Sequence, residues 1–162
     1  NDIAKDNPQI VMSIFKQWRG RHPHTDWILR HGCRSLLKKG HEEALTLHGF
    51  NPGSRATIQE LKLPKKLRIG EYLSFSFAFI NAEKIATPFR LEYVIDYVKS
   101  SGKISKKVFK LKESTFPPGT PIAIERKQSF KDFTTRKHFK GAHPLTILAN
   151  GKKLAGAEFM VH

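Results

Sequence analysis

Up to about residue 50 the apolar positions recur every three or four residues, and beyond it they recur every second residue. In PQIVMSIFKQWRG, Ile10, Val11, Ile14, Phe15 and Trp18 fall on one side of a helix that Pro8 opens and Gly20 ends. The segment from Thr25, TDWILRHGCRSLLKKG, predicts a second helix, with Thr25 as N-cap, Asp26 in the first turn and Gly40 as a stop after Lys38 and Lys39. A third, short helix is predicted in HEEALTLHGF, with Ala44, Leu45 and Leu47 inward before Gly49.

After NPGSR the period shortens. LSFSFAFIN sets Leu73, Phe75, Phe77 and Phe79 against small or polar partners, and FRLEYVIDYV does the same with Leu91, Tyr93, Ile95 and Tyr97. Further strands are predicted at RATIQELKL, KKVFKLK, IAIERKQSF, HPLTILAN and LAGAEFMV, separated by the turn signals SSGKIS, FPPGTP and NG. Asn150-Gly151 is a two-residue hairpin turn by type, because both of its positions accept a left-handed backbone.

Two architectures follow. Short antiparallel helices with tight turns look like one HEAT-like repeat and its cap, a unit that buries its faces by stacking on neighbours, so residues 1–52 are expected to end a helical solenoid. Residues 53–162 are expected to form an immunoglobulin-like antiparallel β-sandwich without an inter-sheet disulfide. The fold class is therefore α+β in two domains. The opening NDIAKDNP reads as a helix tail and turn, which makes the chain the expected C-terminal part of something longer.

One helix carries an unusual surface. At about 100° per residue, Trp27, Arg30, His31, Arg34 and Lys38 gather within a third of the circumference, while Leu29, Cys33, Leu36 and Leu37 take the far side. This polar face contains no acid. It reads either as a solvated face with one half-buried Trp or as a binding surface.

Charge favours the second reading. The 162 residues hold 29 Lys plus Arg against 14 Asp plus Glu, a net charge of +15, so a polyanion is the default partner, nucleic acid before an anionic membrane. No apolar run is long enough to span a bilayer. The basic residues run through both halves instead of forming a tail, with a concentration in Lys99–Lys140 that includes Lys106, Lys110, Lys112, Arg136 and Lys137. Lysines on edge strands that prevent aggregation account for part of this. Lys106, Lys110 and Lys112 bracket core residues and cannot all share a face. In SFKDFTTRKHFKGAH, however, Arg136, Lys137 and His138 stand among Thr134, Thr135 and Gly141, the mix of cations, hydroxyls and accessible amides that contacts phosphates.

Other chemistry is sparse. A single cysteine, Cys33, excludes an intramolecular disulfide, suits a reducing compartment such as the cytoplasm and reads as a small core residue. The eight histidines show no HExxH spacing; His22 and His24 in RHPHTDW are the best of them for a metal, and neither a metal nor another cofactor is expected.

The segments NDIAKDNP, TDWILRHGCRSLLKKGHEEALTLHGF, FRLEYVIDYVKSSGKISKKVFKLKE and FKDFTTRKHFKGAHPLTILANGK together resemble the C-terminal part of the DNA alkylation repair proteins of the AlkC type. These are HEAT-like solenoid DNA glycosylases, related to AlkD, that carry an immunoglobulin-like domain after the helices. The resemblance spans essentially the whole chain and implies excision of cationic N-alkylated bases such as 3-methyladenine from duplex DNA. A carboxylate would position water and stabilise an oxocarbenium-like sugar, an aromatic side chain would meet the cationic base, and Lys and Arg would hold the backbone.

Carried over residue by residue, the resemblance makes Asp2 a catalytic carboxylate, with its partners upstream. Asp2 and Asp6 also fit a plain capping turn before Pro8. Trp27, Arg30, Arg34 and Lys38 become the DNA-facing lining of the last repeat, and Lys106, Arg136 and Lys137 become DNA contacts of the sandwich. The implied partner is duplex DNA containing alkylated bases, with no membrane and a monomeric protein. The alternative is a non-catalytic basic β-sandwich that docks nucleic acid without cutting it, or a purely structural domain.

Overall fold

The computed structural model describes residues 3–162, Lys5 by its backbone alone. The chain falls into two compact units: one runs up to Gly53 and includes Asn150–Lys152, and the other comprises Ser54–Ala149 with Lys153–His162.

The first unit is helical: α1 (Ile3–Asp6), α2 (Pro8–Trp18), α3 (Pro23–Gly32), α4 (Arg34–Lys38) and α5 (Glu42–Leu47). Asn7 caps α2 by accepting the Ile10 N–H at 3.3 Å, beside Pro8 in the first turn. The core is Ala4, Val11, Met12, Cys33, Leu36, Leu37, Ala44, Leu45 and Phe50, with Phe15 and Leu47 partly buried against it. Leu29, Cys33, Leu36 and Leu37 are buried as the periodicity predicts, but α2 departs from it. Val11 and Met12 point inward, whereas Ile10, Ile14 and Trp18 are 52%, 39% and 48% exposed, a stripe at four-residue spacing on the open side of the helix.

The helix predicted from Thr25 begins two residues earlier and is broken. Pro23 supplies a preset first-turn φ, and His22 caps the helix by accepting the His24 N–H at 3.2 Å, so Thr25 lies inside the first turn. Cys33 then separates α3 from α4. The break follows Gly32, a poor helix former, and a Cβ there would come within 2.8 Å of the Phe15 ring, so the small residue lets α2 approach. Gly40 ends α4 with φ +69°, as predicted for a helix stop.

The second unit contains eight strands: β1 (Ala56–Lys62), β2 (Lys66–Leu67), β3 (Tyr72–Asn81), β4 (Thr87–Val98), β5 (Ile104–Phe116), β6 (Ile122–Ser129), β7 (Gly141–Ala149) and β8 (Lys152–Val161). They form sheets of order β1-β3-β6 and β2-β8-β7-β4-β5. The pairs β1–β3, β3–β6, β4–β5 and β4–β7 are antiparallel, whereas β2, an addition to the predicted strands, pairs in parallel with the end of β8. Leu73, Phe75, Phe77 and Phe79 of β3 meet Leu91, Tyr93 and Ile95 of β4 in one core, where Phe79 packs edge-on to Phe89 and tilts against Phe116. Asn150 (φ +46°) and Gly151 (φ +80°) make the predicted turn between β7 and β8.

β4 differs from its alternating pattern because it is buried on both faces. Arg90, Glu92 and Val94 on the second face are 5%, 0% and 6% exposed. Charges survive there because Arg90 Nη2 reaches Glu92 Oε1 at 2.6 Å while Nη1 binds Glu113 on β5.

Candidate nucleic-acid interface

On the helical unit, Trp27, Arg30, His31 and Arg34 are exposed and Lys38 is half-buried. The break at Cys33 divides the stripe into a Trp27–Arg30–His31 cluster on α3 and an Arg34–Lys38 pair on α4. Trp27, 67% exposed, stacks on His31 with ring centroids 5.5 Å apart and planes inclined by 19°. An indole stacked on one side this way leaves its other face toward solvent. Next to it a cavity of about 220 Å³ is lined by Arg19, Asp26, Leu29, Arg30, Leu47 and His48. Asp26 shapes its wall by accepting the Gly20 N–H at 2.8 Å. Cys33 is fully buried, and burial pushes its thiol up to about 12, which fits a core residue and not a nucleophile.

On the sandwich, a bulge in β5 separates lysines that strict alternation would place on one face. Lys106 and Lys110 stand opposite Asp96 and Glu92 on one face, whereas Lys112, opposite Leu91 beyond a bulge, lies 5.7 Å from the Phe116 ring centroid. Lys106 is exposed.

The segment after β6 is a built loop. Phe133 and Arg136 exchange backbone hydrogen bonds of 2.8 and 3.1 Å around Thr134-Thr135, and the Arg136 guanidinium sits 5.6 Å from the Phe133 ring centroid. Phe133, Thr134, Thr135, Arg136 and Lys137 are all exposed. An aromatic ring, two hydroxyls and two cations therefore share one tip. Sequence reasoning found the cations but missed Phe133, whose signal was an aromatic three residues before an arginine across a two-residue turn.

His138 is corrected: it is not a surface contact. Its side chain is buried among Phe130, Tyr97 and His143, with ring centroids 4.8 to 5.8 Å from the first two. Burial lowers its pKa, and Asp132 partly opposes this through the ring hydrogen bond. In return the His138 backbone N–H, followed by its ring, holds the Asp132 carboxyl below its usual range. The residue locks the loop from beneath.

Asp2 lies outside the described residues. Among the described residues no group of three or more His, Cys, Asp or Glu is placed to hold a metal ion, and no helix is long and apolar enough to cross a membrane.

Two mostly antiparallel sheets closed over an aromatic core, with cations carried on an edge strand and a loop, define an immunoglobulin-like β-sandwich attached to a short helical unit. The chain belongs to the family described as uncharacterised protein YhaZ, C-terminal Ig-like domain, whose model matches residues 57–162. It is 43% identical to the uncharacterized protein YhaZ of Bacillus subtilis (strain 168) over 99% of this chain and 45% of that protein. The Pseudomonas fluorescens alkylpurine DNA glycosylase AlkC, solved bound to DNA containing an abasic site analog, superposes with a TM-score of 0.94 at 40% identity, over 99% of this chain and 45% of that one. The chain thus spans less than half the length of both. A β-glucosidase of Listeria innocua shares the fold alone, with a TM-score of 0.58 at 18% identity over 70% of this chain and 17% of that one.

Proposed function

We propose that this chain is the DNA-gripping C-terminal part of a repair glycosylase that hydrolyses the N-glycosidic bond of cationic N-alkylated bases, such as 3-methyladenine, in duplex DNA. The observation that carries the reading is the likeness to the AlkC glycosylase at a TM-score of 0.94 and 40% identity along 99% of the chain. The charge of +15 and the two exposed basic clusters support it. In this reading residues 1–52 end a HEAT-like solenoid and residues 53–162 form the DNA-gripping sandwich, in a cytoplasmic, monomeric protein that uses no cofactor.

The chemistry asks little of the protein. A cationic base is already a good leaving group: water oxygen bonds to the anomeric carbon, the carbon–nitrogen bond breaks, its electron pair stays on the base, and the base departs neutral. A carboxylate accepts the water proton and stabilises the positive charge that develops on the sugar. Asp2 is assigned that role. Trp27, Arg30, Arg34 and Lys38 line the DNA on the helical side, and Lys106, Arg136 and Lys137 bind phosphates from the sandwich.

The test is release of 3-methyladenine from alkylated duplex DNA by the longer protein, its Asp2→Asn variant and this 162-residue chain. Release by the longer protein and loss in the variant is the expected result. DNA binding with no release by the longer protein would make the sandwich a non-catalytic docking module.

A further inference from the structure

The turn joining β4 to β5 is built of the same donors as the Thr134-Thr135 tip and stands beside it. Val98 and Ile104 close the β4–β5 ladder. Residues 99–103 then form a tight hairpin in which the Lys99 N–H reaches the Lys103 carbonyl and the Gly102 N–H reaches the Lys99 carbonyl, each at 2.9 Å. Gly102 accepts the left-handed φ of +74° that returns the chain into β5. Ser100 and Ser101 are left at the tip with a lysine on each side, and all of residues 99–103 are exposed. In the neighbouring loop Thr134 and Thr135 occupy the tip, followed by Arg136 and Lys137. Among the described residues no amide or hydroxyl of Ser100, Ser101, Thr134 or Thr135 has a hydrogen-bond partner. Each tip thus presents a pair of hydroxyls, a pair of free amides and a pair of cations.

The roots of the two turns pack together. Val98, just before the hairpin, donates its N–H to His143 Nε2 at 3.4 Å and lies against Gly141, where a Cβ would meet its Cγ2 at 3.4 Å. Tyr97 sets its ring 5.5 Å from Phe130 and 5.8 Å from His138, the two aromatic anchors of the other loop. The tips therefore keep a fixed spacing, set by β4 lying next to β7 in the sheet. Charge collects at this end of the sandwich. Lys99, Lys103, Lys131, Arg136, Lys137 and Lys140 are exposed around the tips, and none of them forms an ion pair among the described residues. The carboxylate among them, Asp132, is taken up by His138, and the β2–β3 turn adds one charge of each sign, Arg68 and Glu71. At the opposite end the β3–β4 loop sets Lys84 beside Glu83, which pairs with Arg55, and the β5–β6 loop, PPGTP, is uncharged. Lysines that guard a sheet edge lie along the strand, whereas Lys99 and Lys103 stand beyond the ladder.

We propose that the 99–103 hairpin is a second phosphate-binding turn, which grips duplex DNA at a backbone position separate from the one held by Arg136 and Lys137; the inference deepens the DNA-binding reading and rests on it. A free phosphate would satisfy one turn alone. Two like turns at a fixed spacing are matched by a polymer that repeats its phosphates. Because neither turn has to be ordered against the other, the second contact adds affinity at little further entropic cost. It also fixes the angle of the duplex on the sandwich, where a single contact would let it swivel. All of these donors address phosphate oxygens, so the hairpin adds grip and register without reading sequence.

The experiment titrates the 162-residue chain into a dye-labelled duplex, following anisotropy over a range of salt, with thermal melts to show that each variant folds. Lys99→Ala/Lys103→Ala is expected to weaken binding by at least about fivefold at about 0.1 M salt, and to make the slope of log affinity against log salt shallower by about 1 to 2. Arg136→Ala/Lys137→Ala does the same, and the slope losses add in the four-residue variant because the two turns hold different phosphates. Lys99→Arg/Lys103→Arg keeps the slope. Lys84→Ala/Lys153→Ala, which removes the same charge at the other end of the sandwich, changes it by less than about 0.3. Unaltered duplex binding by the hairpin variant overturns the proposal, as does a four-residue variant that loses no more slope than Arg136→Ala/Lys137→Ala. Loss of slope in the arginine variant, or an equal loss from Lys84→Ala/Lys153→Ala, also overturns it. So does a hairpin variant that loses binding to vesicles of anionic lipid while its duplex affinity stays intact. No duplex binding by the unaltered chain instead overturns the DNA-binding reading.

Discussion

The carboxylate of Asp132 accepts two hydrogen bonds from His138, one from its backbone N–H at 2.8 Å and one from its ring Nδ1 at 3.2 Å. The pair closes the loop whose tip carries Phe133 and Arg136. A buried imidazole thus fixes the base of an exposed basic tip, which reduces the conformational freedom lost when that tip meets a ligand. Asp132→Ala is expected to leave the sandwich folded, to abolish hydrogen-exchange protection of the His138 amide, and to weaken duplex binding several-fold without removing a cation. An unchanged exchange rate would mean that the buried ring alone holds the loop.

Stability is expected to depend on pH through two buried histidines. Nδ1–H of His143 donates to the Gly141 carbonyl at 3.0 Å, and its Nε2 accepts the Val98 N–H at 3.4 Å, an arrangement open only to the neutral ring. Burial lowers the pKa of both His138 and His143 below the ordinary 6.5. As pH falls through 6.5 the unfolded chain therefore takes up protons before the folded one. The stability these rings confer is complete above that pH and is lost as pH falls through their folded values. Melting temperature should stay level from about pH 8 to 7 and decline below about 6.5. His143→Gln should flatten the decline, and a decline of unaltered steepness would locate the effect elsewhere.

Arg90 is the hub of the charges on the second face of β4. Its side chain is 6% exposed and binds Glu92 and Glu113, at 1% and 14%. Arg90→Met removes the guanidinium that holds the Glu92 and Glu113 carboxylates, Glu113 keeping Lys110 at 3.6 Å, and should destabilise the protein by about 3 kcal/mol in urea unfolding. Replacing all three residues with apolar ones of similar volume should recover most of that loss. A single variant that costs less than about 1 kcal/mol would show that solvent or another group takes over the carboxylates.

Much of this architecture was legible in the sequence. The period-2 pattern located the inward faces of β3 because Phe75, Phe77 and Phe79 alternate with residues too small and polar to compete for the core. It failed on β4, where Arg90 and Glu92 read as solvent-facing; their burial depends on Glu113, twenty or more residues away, a partner that periodicity cannot supply. It failed on α2 for the opposite reason, since Ile10, Ile14 and Trp18 have the composition of a core stripe and yet stand exposed. The apolar pattern of a stacking helix records where the helix can be covered, and its own short core covers Val11 and Met12 fully and Phe15 in part. The basic loop was visible as a charge cluster, but composition could not separate Arg136, at the tip, from His138, which is buried five residues after Phe133 and six after Asp132.

Cys33 should be chemically silent in the folded protein. It is fully buried, and with its thiol pushed up to about 12 the thiolate is a minute fraction at neutral pH. A disulfide reagent should label it only after denaturant unfolds the helical unit, so labelling can report that unit's opening. Rapid labelling without denaturant would place the cysteine in a unit that opens readily.

Duplex binding offers the sharpest check on the two basic clusters, because phosphate contacts leave a thermodynamic signature that fold stability does not. Each cation that neutralises a phosphate releases counterions, so the logarithm of affinity should fall linearly with the logarithm of salt. Arg34→Ala on the helical unit and Arg136→Ala on the sandwich should each make that slope shallower by about 1, and should weaken binding equally for unrelated sequences. Trp27→Ala should act differently. The indole carries no charge, so its loss should lower affinity at every salt concentration and leave the slope intact. Slopes unaltered by Arg34→Ala and Arg136→Ala, in variants whose melting temperatures match the unaltered chain, would show that neither cluster touches phosphate and that the net charge acts at a distance.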